Sequence, residues 1–204
     1  VLAGHYNSAP IAMVLKAFDI LLPFWVVEKL WLLLLFWLAG IGASRLPFLM
    51  GVGRYYAGVF YAINPFVYSR FIAGQWGLLG AYAIMPFALT SFLHLLEQPN
   101  HRNAIKTALM ATIIGFFQLH GLGLLILLFG LIYMCRCITN FRSARRSLAA
   151  ITLTVAVFVA INLFWIIRYI LSPVSVLGSM DLGDLTFFGP SNPQDVISLR
   201  GFWL

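Results

Sequence analysis

The chain has 204 residues, of which 62% are hydrophobic and only 9% charged, whereas a soluble domain carries about 25% charged residues. That balance excludes a soluble domain and reads as a polytopic membrane protein. The formal charge of +7 would suggest nucleic acid in a soluble protein; in a membrane chain it is loop charge that sets orientation, so no nucleic acid is expected as a partner. The expected fold is all-α, with about six transmembrane or re-entrant helices plus one interfacial juxtamembrane helix. It divides into residues 1–22, an extracytoplasmic loop with that juxtamembrane helix, residues 23–171, the transmembrane region, and residues 172–204, an extracytoplasmic tail that starts a further segment.

In chain order, residues 1–9 are small and polar enough for a loop, and no basic n-region precedes the first apolar run, so nothing reads as a signal peptide. The start at Val1 and the stop just after Gly201-Phe202-Trp203 lead us to expect a piece of a longer protein. Pro10 opens a helix over 11–22, which carries Lys16 and Asp19 and is too short to span, so it suits the membrane interface. Pro23 restarts the chain, and 24–44 is long enough to cross, with Glu28 and Lys29 in its first turns. After a basic loop, 45–54, the run 55–64 is short for a span; it extends through Pro65 towards Ile72 as a kinked helix. A crossing over 76–96 ends in the polar loop 97–103. The run 104–134 is apolar except for Lys106, Gln118 and His120, and Gly121 and Gly123 divide it into two short halves, a tight hairpin or a re-entrant pair. Arg136, Arg142, Arg145 and Arg146 are expected to form a basic loop before a last crossing over 147–171.

Eight basic residues, Arg45, Arg54, Arg102, Lys106, Arg136, Arg142, Arg145 and Arg146, fall on one side, which is then the cytoplasm. Residues 1–22, 64–76, 118–123 and 172–204 are extracytoplasmic by the same parity. Cys135 and Cys137 flank Arg136; the pair lacks the four ligands of a structural zinc site and reads as two free thiols, with no metal site.

The stretch from Asn64 to Gly77 sets a proline, an arginine, amides and glycines between two apolar runs, and polar groups at the ends of membrane helices tend to face a cavity or water. Arg70, next to Gln75 and Trp76, has the planar fork that pairs a phosphate bidentately; the alternative is an interfacial arginine among belt aromatics. Arg168, close to the end of the last span, is a second candidate for phosphate, or snorkels. Glu28, Asn64, Gln75 and His120 are candidates to line the cavity. Glu28 and Lys29, as neighbours on a helix, point in different directions, one to the cavity and one to the interface. Asp19, Asp181, Asp184 and Asp195 complete the outer acids, and spacing selects none of them as a general base. The catalytic residue is therefore left unassigned.

The strings Leu22-Pro23-Phe24-Trp25-Val26-Val27-Glu28-Lys29-Leu30-Trp31, Ala39-Gly40-Ile41-Gly42-Ala43, Ala62-Ile63-Asn64-Pro65-Phe66-Val67, Gly74-Gln75-Trp76, Ala83-Ile84-Met85-Pro86 and Leu199-Arg200-Gly201-Phe202-Trp203 together resemble the N-terminal membrane region of GT-C-type glycosyltransferases. Within these, the chain is similar to arabinofuranosyltransferase-like proteins and uncharacterised archaeal and bacterial relatives. The resemblance implies an enzyme of a prokaryotic cytoplasmic membrane that moves a sugar from a polyprenyl-phosphate donor to an extracytoplasmic glycan or lipid acceptor. It implies a catalytic acid in the first extracytoplasmic loop, upstream of residue 1, and in some relatives a divalent cation. Donor phosphate would then sit near Arg70 and Arg168, with Glu28, Gln75 and His120 on the sugar side. The competing readings are a non-catalytic lipid-binding or assembly subunit and a transporter; the charges gathered near helix ends argue against transport, as does the lack of an internal repeat.

Overall fold

A computed structural model describes residues 6–171, and these are helices joined by short turns. A 3-10 turn, Tyr6–Ser8, leads into α1 (Ala9–Asp19), followed by α2 (Phe24–Ser44), α3 (Gly53–Ala62), α4 (Pro65–Ile72), α5 (Trp76–Glu97), α6 (His101–Phe117), α7 (Leu119–Thr139) and α8 (Phe141–Leu171). Four of them, α2, α5, α7 and α8, are long and apolar enough to cross a membrane. The chain is thus an integral membrane protein by the length and composition of its helices.

Local chemistry explains where the helices begin. Asn64, Asn100 and Asn140 each stand just before a helix, and their side-chain oxygens accept the backbone N–H of Val67, Asn103 and Ser143 at 3.0, 2.8 and 3.0 Å. Each thereby satisfies a donor that the first turn leaves without an intrahelical partner. Pro10 and Pro65 occupy first-turn positions, where a missing N–H costs nothing. α4 ends in a Schellman turn: Gln75 N–H donates to Arg70 O at 3.0 Å and Gly74 N–H to Phe71 O at 3.1 Å. Gly74 takes the left-handed conformation this turn needs, with φ +66°.

α5 is the keel of the bundle. Half of its most apolar stretch is buried, against 17% for each of α2, α7 and α8. On one side Leu79 and Ala83 pack with Leu35, Ala39 and Val67 of α2 and α4. On the other, Ala81 and Ala88 pack with Ala111, Ile114, Leu122, Leu125 and Trp165 of α6, α7 and α8, while Phe92, Leu95 and Leu96 pack with Ala104 and Ala150 nearer the opposite end. Small residues bring these helices together, as packing in lipid requires. Along α6, Ala104, Thr107, Ala108, Ala111, Thr112 and Gly115 are all buried, and a methyl added at Gly80 would collide with the Phe117 ring. α2 and α3 meet at Gly40 and Gly58, where a Cβ on Gly58 would lie 2.7 Å from Gly40 O.

Several expected boundaries move. The run 55–72 is not one kinked helix but two, α3 and α4, with Ile63 and Asn64 extended between them; Pro65 supplies no N–H and Asn64 caps the new helix, so the ladder stops rather than bends. The stretch 104–134 lies in two antiparallel helices that part at Gln118, whose extended backbone (φ −161°, ψ 129°) is the only interruption. α7, at 21 residues, has the length of a crossing rather than of half a re-entrant loop. The expected basic loop around Arg136, Arg142, Arg145 and Arg146 is helix except at Asn140, and the polar loop after α5 shrinks to Gln98, Pro99 and Asn100 because Asn100 caps α6. At 31 residues α8 is about 46 Å long, so its arginine-bearing first turns extend past an apolar layer of about 30 Å.

Candidate functional site

The break between α3 and α4 interrupts the helical backbone inside the bundle, and the carbonyls that its prolines leave open are met from elsewhere. Pro65 and Pro86 each lack an N–H, which leaves the carbonyls four residues earlier, those of Tyr61 and Tyr82, without their helical donors. The Tyr82 hydroxyl donates to Tyr61 O at 2.9 Å, and the Tyr61 hydroxyl donates to Tyr82 O at 3.0 Å. The two rings lie stacked, with centroids 4.1 Å apart and planes 7° from parallel. Each tyrosine thus repairs the gap that a proline makes in the other's helix.

Asn64 completes the joint. Its amide oxygen caps α4, while its Nδ2 donates to Phe60 O at 3.1 Å, Tyr61 O at 3.0 Å and the Tyr82 hydroxyl at 3.1 Å. One side chain therefore closes the end of α3 and the start of α4. Non-helical backbone at membrane depth persists only where its polar groups are satisfied in this way.

Beside the joint lies an apolar groove of about 890 Å³ between α2 and the α3–α4 pair. Leu34, Phe36 and Trp37 form one wall, Ile63, Val67 and Phe71 the other, and the polar side chains of the lining are Asn64 and Tyr68. Ile63, Trp37 and Tyr68 are 75%, 64% and 60% exposed, so the groove opens sideways to the outside of the bundle.

The other expected site residues are distributed as follows. Arg70 is half-buried on the neighbouring side of α4; its Nη1 donates to Gln75 Oε1 at 3.0 Å, and its guanidinium lies 5.4 Å from the Phe66 ring centre. The Schellman turn brings these two side chains together. Arg168 is exposed at the end of α8, 5.1 Å from the Tyr6 ring, so the two arginines have different neighbours. Glu28 is half-buried, while Lys29 is exposed over the Trp25 ring at 5.0 Å. His120 is exposed at the start of α7. Of the four expected lining residues, only Asn64 borders the groove. Asp19 lies in α1, and Asp181, Asp184 and Asp195 fall outside the described residues. Among the described residues no three His, Cys, Asp or Glu side chains converge, so a divalent cation has no ligand set there.

Sequence reasoning missed three polar features. Tyr61 and Tyr82 were detectable only by counting back four residues from each proline. Asn162 is fully buried; it donates to Thr112 Oγ1 at 2.8 Å and accepts from Trp165 Nε1 at 2.7 Å, tying α8 to α6. Asn7 is buried and donates to Gly115 O at 2.7 Å, pinning the segment before α1 to the end of α6. These contacts, with Gly77 lying against Phe117 O and Arg168 against Tyr6, gather the ends of α4, α6 and α8 and the starts of α5 and α7 at one end of the bundle. Comparison of the chain with protein-family models, with curated proteins and with solved structures finds no match, so the site stands on its own geometry.

Proposed function

We propose that the chain is the membrane region of a GT-C-type glycosyltransferase that uses a polyprenyl-phosphate sugar donor and an extracytoplasmic glycan or lipid acceptor at a prokaryotic cytoplasmic membrane. The observation that carries this reading is the lateral apolar groove: its size and its sideways opening suit an isoprenoid chain, and α4, which forms one wall, carries Arg70 in its last turn, hydrogen-bonded to Gln75 just beyond. A phosphate near that guanidinium would complete the fit. In this reading α6 and the broken α3–α4 pair join the four long helices to make six crossings. α1, which has no buried residue and exposes Met13 and Phe18, lies in the outer interface. The end holding Gln75, Gln118 and Arg168 is extracytoplasmic, since the eight basic residues of the other end orient it inward.

A second reading, a non-catalytic lipid-binding subunit, is favoured by one observation: none of the described acids, Asp19, Glu28 and Glu97, borders the groove. Two measurements test the pair. Retention of an added polyprenyl phosphate, read by native mass spectrometry, is expected to fall several-fold in Leu34→Trp, which fills the groove; equal retention in both proteins refutes the groove as the lipid site. Release of polyprenyl phosphate from a sugar-linked donor, by membranes holding the full-length protein, supports the transferase. Lipid retention without turnover supports the subunit.

A further inference from the structure

The groove beside the α3–α4 break opens to the outside of the bundle, so in a membrane the surrounding lipids compete for it. An apolar wall attracts the acyl chain of a bulk phospholipid as readily as an isoprenoid chain, and selectivity then has to come from a shape that rejects the wrong lipid. Such a shape is present. On the α5 side of the groove lies a second apolar space of about 10 Å³, bordered by Ala39 of α2 and by Leu79 and Tyr82 of α5. It is at most the size of a single water, and the Tyr82 hydroxyl is already donated to Tyr61 O, so no set of polar partners holds a water there.

Phe36, Ala62 and Val67 line both spaces, so they are the partition between them and the floor of the groove. Val67 is buried among Leu35, Ala39 and Leu79. Phe36 is half-buried, and its ring centre lies 5.9 Å from that of Phe71 in the opposite wall. Beyond Ala62 the gap between α2 and α3 closes: a Cβ on Gly40 would lie 3.6 Å from Ala62 Cβ. The groove is therefore one helix gap wide, closed at that end and floored along its length. One chain can lie in it, and a second has no room beneath the first.

We propose that Phe36 and Val67 are specificity-determining residues of the groove: by flooring it they admit a single-chain lipid and turn away two-chain lipids. This rests on the groove as a polyprenyl phosphate site and adds what selects that lipid from the bilayer. Phosphatidic acid is the matched probe, because it carries the same phosphomonoester on two acyl chains. The two lipids are added in competition to the delipidated chain in detergent, and retention is read by native mass spectrometry. The unsubstituted chain is expected to keep polyprenyl phosphate over phosphatidic acid. Val67→Ala and Phe36→Ala, which join the groove to the space behind it, are expected to gain phosphatidic acid several-fold while still holding polyprenyl phosphate. Leu33→Ala, which widens the groove without touching the floor, is expected to leave the preference unchanged. Phe36→Leu, a milder shortening of the same ring, carries the test if either alanine variant loses its helical circular dichroism. An unchanged preference in the floor variants, or an equal gain in Leu33→Ala, overturns the proposal and leaves the groove reading standing. Retention of neither lipid by the unsubstituted chain refutes the groove reading itself, and this inference with it.

Discussion

Replacing Tyr61 by Phe removes one hydroxyl, the donor that meets Tyr82 O at 3.0 Å. That carbonyl has no helical donor because Pro86 stands four residues on. Side-chain hydrogen bonds inside membrane proteins average about 0.6 kcal/mol and reach about 1.7, while leaving a buried acceptor unmet costs about 1–3 kcal/mol. The rings stay stacked in Tyr61→Phe, so the expected loss is about 1–2 kcal/mol. The discriminating step is to repeat the substitution in Pro86→Ala, where residue 86 regains an N–H for Tyr82 O. There the cost of Tyr61→Phe is expected to fall below about 0.5 kcal/mol, the usual error of additivity. Unfolding in mixed micelles with rising dodecyl sulfate, followed by helical circular dichroism, supplies the four stabilities of the cycle. The same cost in both backgrounds would refute the idea that the tyrosine stands in for the missing amide.

Asn64→Ala removes a helix cap, about 1 kcal/mol, and the donor to Phe60 O; the expected loss is about 2–4 kcal/mol by the same unfolding assay, with Asn64→Ser intermediate because it keeps a capping oxygen. Asn162→Leu strands Thr112 and Trp165 Nε1 and is expected to cost about 2–3 kcal/mol, part of which Thr112→Val restores, measured as the coupling in a double-mutant cycle. Gly58→Ala drives a methyl to 2.7 Å from Gly40 O and is expected to cost about 1–3 kcal/mol, whereas Gly53→Ala, with nothing within 4 Å, is neutral or slightly stabilising. Gly80→Ala meets the Phe117 ring; its destabilisation in the same assay is expected to shrink in Gly80→Ala/Phe117→Leu.

The sequence carried the start and end of α2 without error, because Pro23 and the basic residue Arg45 bracket an unbroken apolar run. It also marked Asn64 and Pro65 as a special place. It could not decide between a kink and a break there, since both begin with the same missing N–H. The decision rests on the donors that reach Tyr61 O, the neighbouring Asn64 Nδ2 and the hydroxyl of Tyr82, 17 residues beyond Pro65 in the chain. Periodicity was equally silent about Gln118: apolar residues on both sides give the same composition for a hairpin and for a re-entrant loop, and only the length of α7 separates them. Arg70 and Gln75 were read as neighbours correctly, because five residues spanning a glycine that adopts a left-handed turn bring their side chains together. Arg168 and His120 had no such local constraint, and their surroundings are set by helices far away in sequence.

The two prolines explain why the groove exists where it does. A continuous helix over 53–72 would carry one straight face along α2 and fill the space beside Leu34 and Trp37. Stopping α3 at Ala62 and restarting at Pro65 lets Gly58 press against Gly40 while α4 turns to pack Val67 on Leu35 and Leu79. The gap between those two contacts is the groove. Its depth therefore depends on the break being held open, and the break is held by the stacked tyrosines and Asn64. If that chain of dependence is right, Pro65→Ala, which returns a donor to Tyr61 O, draws α3 and α4 towards a single helix and narrows the groove without altering one residue that borders it by more than its backbone position. Polyprenyl phosphate retention in Pro65→Ala should then fall along with that of Leu34→Trp, although the first substitutes none of the lining residues. Unchanged retention in Pro65→Ala, with Leu34→Trp impaired, would separate the groove from the break and leave the reciprocal tyrosines as helix repair alone.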